Sequence, residues 1–318
     1  LKKKGLVVEY VSEVAKEYII LDRCGGTGGL EAALIGLKDS QGDELISHCV
    51  VSTYEYYEYK VLNERLGDKV RDIVPSTEAD IVFGNGKILN ADAMTKEYIE
   101  NEVIKQYVDD KDCAVILFEN PPYSQAKGKD TANLSELCFI RHLLNSITTG
   151  GRAAVIVPVS AMIGKTKEDK AVKQDILKKH TLEGVISLNK DTFYRVGTVP
   201  CIAVFTAGEP HPADKIAKFI NFEDDGFEVK KHLGLVETER AKDKRQYLLD
   251  CWRGKVADFP SSFMVETTVE DTDEWLHSFY YYNDEIPTEA DFINSIADYL
   301  TFEFNMVTHG KGYLFGQK

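Results

Sequence analysis

A mostly parallel, doubly wound α/β sheet is the fold class this chain predicts, and three observations carry that prediction. Short apolar runs alternate with helical periodicity between residues 18 and 222, one run opens into a glycine-rich turn, and another closes on Asn120-Pro121-Pro122-Tyr123. A length of 318 residues with 43% hydrophobic content allows a full core and suggests about two domains.

Taken in order, a helix is predicted over 6–16 and a strand over 18–22. Tyr18-Ile-Ile-Leu-Asp22 ends in an acid and leads through Arg23-Cys24-Gly25-Gly26-Thr27-Gly28-Gly29 into a helical pattern over 29–38. Strand, glycine-rich turn and helix together let a backbone approach a nucleotide-like ligand closely. The spacing is neither Gly-x-Gly-x-x-Gly nor a P-loop ending in Gly-Lys-Ser/Thr, so a dinucleotide pyrophosphate is not the natural ligand. A strand over 46–53 and a helix over 56–66 follow, with Glu55 between them. An acid just past a second strand suits ribose hydroxyls; Glu58 competes for that role, and a solvated surface acid is the plainer alternative. A third short strand over 87–90 leads to Asp92, which can accept from an exocyclic amine, cap the helix predicted over 93–108, or do both.

The run Cys113-Ala-Val-Ile-Leu-Phe118 reads as a buried strand over 114–118. It delivers the tetrapeptide to the carboxyl end, where sheets of this class bind ligands. Asn120 offers a side-chain carbonyl, an X-Pro bond has no N–H to donate, and Tyr123 offers a flat face. The set suits a planar substrate whose amino group gives up hydrogen bonds while its ring is stacked. A rigid turn after a strand is the alternative. Further strands are predicted over 153–157, 183–188, 201–206 and 217–222, and helices over 133–147 and 167–179. Only Asp191 to Pro200 separate 183–188 from 201–206, too little for a helical crossover, which points to an antiparallel strand there.

Asp22-Arg-Cys-Gly-Gly-Thr-Gly-Gly29 resembles the first motif of S-adenosylmethionine-dependent N6-adenine DNA methyltransferases, and Asn120-Pro-Pro-Tyr123 resembles their catalytic motif. The likeness is greatest to the modification subunit of type I restriction-modification systems. It runs on through Gly151–Pro158, Leu182–Leu188, Thr192-Phe193-Tyr194, Gly197–Phe205 and Lys218–Phe222, in the family's order. The resemblance implies a Rossmann-like class I methyltransferase over 1–222, with S-adenosyl-L-methionine as cofactor. It implies that Asp22, Gly26, Thr27, Gly28 and Gly29 line the cofactor, that Glu55 takes its ribose and that Asp92 takes its adenine amino group. Asn120 and the Pro121 carbonyl, followed by Pro122, would hold the target N6. Tyr123 would stack on the flipped base, and Phe193 or Tyr194 would pack on its other face. The implied partners are double-stranded DNA, a DNA-specificity subunit and, as a further partner, a restriction subunit, in the cytoplasm. Arg23 departs from the family's usual proline, and the chain starts at Leu1 without the helical domain and loop that precede this region in the family. A piece of a longer protein is therefore expected. Methylation of another amide or amine (a protein glutamine or an RNA guanine) and a truncated, non-catalytic binding module are the competing functions.

The six cysteines are scattered, and Cys49, Cys113 and Cys201 fall in strand-like runs, which reads as reduced core thiols with neither a disulfide frame nor a metal site. No apolar run reaches the roughly 18 residues a membrane span needs. Net charge is −14, unexpected for a protein that grips DNA, but 223–318 alone carries 10 Lys and Arg against 20 Asp and Glu. That step marks 223–318 as an acidic, mainly helical C-terminal extension, with helical patterns over Glu237–Lys255 and Ala290–Tyr299. Basic residues elsewhere cluster at Lys2 to Lys4, at Lys165, Lys167, Lys170 and Lys173, at Lys178-Lys179 and in the loop Ser124–Lys129. The loop Ser124–Lys129 could reach a phosphate, but each cluster reads first as a solvated face, and a separate subunit or segment would supply most of the DNA contact.

Overall fold

The computed structural model describes residues 18–22, 24–39, 42–53, 56–70, 72–75, 114–124, 135–147, 149–194, 197–283 and 287–312. The chain divides into two compact units, Leu1–Tyr281 and Tyr282–Lys318. The first is built on strands β1 (Tyr18–Asp22), β2 (Cys49–Thr53), β3 (Asp72–Pro75), β4 (Ala114–Glu119), β5 (Arg152–Pro158), β6 (Thr181–Leu188), β7 (Pro200–Thr206), β8 (Ala217–Phe222), β9 (Phe227–Lys230), β10 (Gly234–Glu237) and β11 (Met264–Thr267). Among the described residues, nine of these form one sheet in the order β11-β8-β6-β7-β5-β4-β1-β2-β3, and β9 and β10 pair apart as a hairpin. The mostly parallel α/β sheet is the predicted fold class. β7 runs antiparallel to both β5 and β6, as its short connection requires. A second reversed strand, β11, pairs with β8 at the edge; it comes from the stretch after 222 that charge alone had set apart. β3 pairs with β2 where no strand was expected, and the helix predicted over 6–16, the strand over 87–90 and the helix over 93–108 lie outside the described residues.

The first unit's helices are α1 (Tyr56–Leu66), α2 (Glu136–Asn145), α3 (Val159–Ile163), α4 (Lys167–Lys179), α5 (Arg240–Trp252) and α6 (His277–Tyr280). Strands buried on both faces read as unbroken apolar runs, and alternate residues feed two cores. Ile19, Leu21, Val115, Leu117 and Val155 pack on one face with residues of α2 and α4 and with Trp275. Ile20, Ile116, Phe118 and Ile156 pack on the other with Leu62 and Leu66 of α1 and Leu248 and Leu249 of α5. Thr166 and Asp169 close a reciprocal capping box on α4.

Three expectations change. The helix over 29–38 is a single 3-10 turn, Glu31–Leu34, bracketed by Gly28 at φ +80° and Gly36 at φ +74°, conformations that stop a regular helix. A second 3-10 turn, Leu45–His48, occupies the start of the strand predicted over 46–53. Lys173 also leaves the solvated basic face assigned to it. Its Nζ is buried and donates to the carbonyls of Met162 (2.7 Å), Ile163 (2.9 Å) and Asp273 (2.8 Å), 4.8 Å from the Trp275 ring centroid. Burial pulls its pKa down to about 8.

The second unit is described by α7 (Glu289–Thr308), which starts from a capping box between Thr288 and Asp291 and buries none of its residues. Among the described residues, no helix is long and apolar enough to cross a membrane.

Candidate active site

β1 and β4 are adjacent and parallel, with Leu21 opposite Leu117, so their carboxyl ends open side by side. From β1 the chain moves outward to β2 and β3 on one side and then returns to β4 on the other, so the strand order reverses at β1, which is the crevice where doubly wound sheets bind ligands. The glycine turn and the tetrapeptide, remote in sequence, therefore meet at one edge.

On the β1 side, Asp22 Oδ1 accepts from the Cys24 amide at 2.8 Å, and the turn closes through the Gly28 amide to the Gly25 carbonyl at 2.9 Å. Gly26 and Gly28 both hold positive φ. A Cβ on Gly28 would lie 2.7 Å from Leu66 Cδ1 and 2.8 Å from Leu62 Cδ1, so α1 packs on this turn only because the side chain is missing. Around Gly29 nothing comes within 4 Å of such an atom, which leaves the approach open. Arg65 Nη1 donates to the Thr27 carbonyl at 2.6 Å and ties the exposed Thr27 to α1.

Three acids are buried at this edge: Asp22 is 2% exposed, Glu31 1% and Glu119 0%. Burial first, then repulsion from Glu31, a contact with Glu31 and the charge of Glu119, push the Asp22 carboxyl well up, against the Cys24 amide that favours its charged form. Asp22 Oδ2 is buried without a donor in reach. Its contact with Glu31 becomes a hydrogen bond once one of the pair carries a proton. Such a cluster of buried acids is electrically suited to a neighbouring positive charge. The only hints of Glu31 and Glu119 in the sequence are an acid inside Leu30–Leu34 and an acid ending the apolar run before Asn120.

On the β4 side, Pro121 is buried and Pro122 exposed, and Asn120 and Tyr123 are half-buried. The Tyr123 hydroxyl donates to Asn120 Oδ1 at 2.7 Å and lies 3.1 Å from the Ile156 carbonyl of β5. Burial pushes its phenol up. Ser124 takes a positive φ of 58°, with its amide held by Glu136 Oε1 of α2 at 2.7 Å. Phe193 lies in the turn after β6, its ring edge-on to Tyr123 with centroids 6.1 Å apart. Tyr194, the other candidate, lies against Gly234 of the hairpin. Glu55 and Asp92 lie outside the described residues.

The model of the N-6 DNA methylase family matches residues 79–291. The type II restriction enzyme and methyltransferase RM.BcgI of Heyndrickxia coagulans is 49% identical over 237 residues, 74% of this chain and 36% of that protein. The type I restriction enzyme EcoKI methylase subunit of Escherichia coli K12 is 31% identical over 105 residues, 30% of this chain and 19% of that one. The chain thus spans about a third or less of these curated relatives. Among solved structures, the type I methyltransferase subunit from Streptococcus thermophilus superposes with a TM-score of 0.55 at 12% identity, over 84% of this chain and 54% of that one. The type IIG restriction endonuclease BpuSI does so with a TM-score of 0.53 at 12% identity, over 86% of this chain and 32% of that one, a likeness of fold. With the family model covering two thirds of its residues, and its strands arranged as in those folds, this chain belongs to the N-6 DNA methylase family.

Proposed function

We propose that this chain is the catalytic part of a DNA adenine-N6 methyltransferase of a restriction-modification system, using S-adenosyl-L-methionine. The observation that carries the reading is the adjacency of the glycine turn, with its buried acids, and Asn120-Pro121-Pro122-Tyr123 across the β1–β4 pair. The residues present fit the cofactor: an orphaned buried carboxylate oxygen on Asp22 and an open approach over Gly29 suit a ligand carrying positive charge. When bound, S-adenosylmethionine supplies a sulfonium-activated methyl with its own leaving group.

The chain's own residues then do the positioning. Gly26, Thr27, Gly28 and Gly29 would line the cofactor, and Asp22 would face its positive charge. By family resemblance Glu55 would take the ribose and Asp92 the adenine amine. Asn120 Oδ1 and the Pro121 carbonyl would each accept a hydrogen of the target N6, drawing the nitrogen's lone pair out of conjugation and toward the methyl. The Tyr123 hydroxyl now occupies Asn120 Oδ1, so the arriving amine exchanges with it. The base must leave the duplex to reach this edge, and the rings of Tyr123 and Phe193 would hold it there. Alignment and charge placement are the main demands of such a transfer. The net charge of −14 supports a DNA-specificity subunit as the main source of phosphate contacts, with a restriction subunit as a further partner.

The test is methyl transfer from labelled S-adenosylmethionine to unmethylated duplex DNA, followed by digestion to nucleosides and mass spectrometry. N6-methyladenine is the expected product, abolished by Asn120→Ala. N4-methylcytosine, or transfer only to RNA or to a glutamine peptide, refutes the assignment.

A further inference from the structure

We propose that the β9–β10 hairpin is a DNA-backbone contact standing beside the mouth of the active site, with Lys230 and Lys231 at its tip as phosphate ligands. The inference rests on the DNA-methyltransferase reading above and extends it to residues outside every motif.

The hairpin is fixed at both ends to the segment after β6 that carries Phe193. At its root, Asn189 Nδ2, just past the carboxyl end of β6, donates to Asp225 Oδ1 at 3.1 Å, and the same oxygen accepts the Phe227 amide at 2.8 Å. Gly226 lies so close to α5 that a Cβ there would be 2.6 Å from the Ala241 backbone. Near its tip, Gly234 packs on Tyr194, whose neighbour Phe193 meets the Tyr123 ring. The turn is closed by the Leu233 amide to the Lys230 carbonyl at 3.1 Å, and His232 takes a positive φ of 68°.

Charge is sorted along the hairpin. The two acids on its strands are each matched by a cation of α5, Glu228 by Arg240 at 3.3 Å and Glu237 by Arg245 at 3.5 Å, and at the root Lys244 of α5 lies 2.8 Å from Asp224. The tip is the reverse. Lys230, Lys231 and His232 are exposed, and among the described residues the two lysines form no ion pair or side-chain hydrogen bond. Leu233 beside them is 74% exposed. On a chain of net charge −14, unpaired lysines a few residues from Gly234, which meets Tyr194 beside Phe193, match a polyanion, and the phosphates flanking an extruded base are the ones assigned to this tip.

The experiment uses the full chain and compares Lys230→Ala/Lys231→Ala with Lys178→Ala/Lys179→Ala. The second pair removes the same charge from the end of α4, at the amino edge of the sheet. For the tip variant, KM for duplex DNA is expected to rise about tenfold and the salt dependence of binding to become shallower by about 2 in log–log slope. Melting temperature, S-adenosylmethionine binding by calorimetry and the α4 control should match wild type. An active wild type with an unchanged KM and slope in the tip variant overturns the hairpin contact and leaves the reaction assignment standing. Equal losses in both double variants also overturn it, since net charge alone would then be responsible. A wild type that transfers no methyl to any DNA sinks the reaction assignment and this proposal together.

Discussion

Replacing Tyr123 by Phe and by Ala separates two roles that the structure gives to one side chain. Its hydroxyl holds Asn120 Oδ1 at 2.7 Å and approaches the Ile156 carbonyl at 3.1 Å, while its ring faces Phe193. Tyr123→Phe removes one shared proton, so the fold should lose about 1 kcal/mol, the usual net value of a hydrogen bond. In the proposed transfer the same loss frees the acceptor assigned to the target amine. The amine no longer displaces a hydroxyl, and kcat/KM should lie between unchanged and about fivefold above wild type. Tyr123→Ala removes the ring as well. Stacking of a base on an aromatic is worth about 1–3 kcal/mol, so kcat/KM should fall by about 5- to 150-fold. Burial keeps the phenol protonated, so neither variant should move an inflection in the pH–rate profile. The assay is steady-state methyl transfer to a duplex, with chemical denaturation to correct for stability. If Phe falls as far as Ala, the hydroxyl acts in the reaction itself and is not simply displaced by the arriving amine.

The other predictions are independent of that one. Asp22 carries a folded-state pKa above its usual 3.8, so its contribution to stability is fully present below the unfolded value and is lost as pH rises through the folded value. Asp22→Asn should therefore flatten the fall in melting temperature between acid and neutral pH while weakening S-adenosylmethionine binding; a profile identical to wild type would show that the carboxyl is not strained. Gly28→Ala meets Leu66 and Leu62 below 3 Å at a φ of +80°, and should cost about 1–3 kcal/mol and weaken cofactor binding by calorimetry. Lys173→Met strands the carbonyls of Met162, Ile163 and Asp273, with an expected loss of about 3 kcal/mol or more by urea denaturation. Its effect on kcat should be small, because the lysine anchors Trp275 and Asp273 and not the β1–β4 edge.

Much of the fold was legible because period and burial agree along the chain. Tyr18–Asp22, Ala114–Glu119, Tyr56–Leu66 and Lys167–Lys179 form close to where their apolar spacing placed them, and the short link before Pro200 correctly reversed β7. Where local pattern misled, a backbone demand overrode it. Leu30 to Leu37 has helical periodicity, yet Gly28 and Gly36 at positive φ confine it to one 3-10 turn. β11 was hidden in an acidic stretch because four residues at a sheet edge need pairing with β8 more than they need a pattern of their own.

The sequence by itself determined the chemistry on offer: a carboxamide, a proline carbonyl and an aromatic at the end of one strand, and a glycine turn behind an acid at the end of another. Only the tertiary structure decided that these two ends are neighbours, because β1–β4 pairing joins segments almost a hundred residues apart, and no local preference encodes a sheet order. It also decided that Glu31 and Glu119 are buried beside Asp22, against the ordinary tendency of acids to face water, and that the Tyr123 hydroxyl rests on Asn120. Lys230 and Lys231 are unremarkable in the sequence. They gain meaning from α5, which neutralises every acid on their hairpin and leaves the tip charged beside the site.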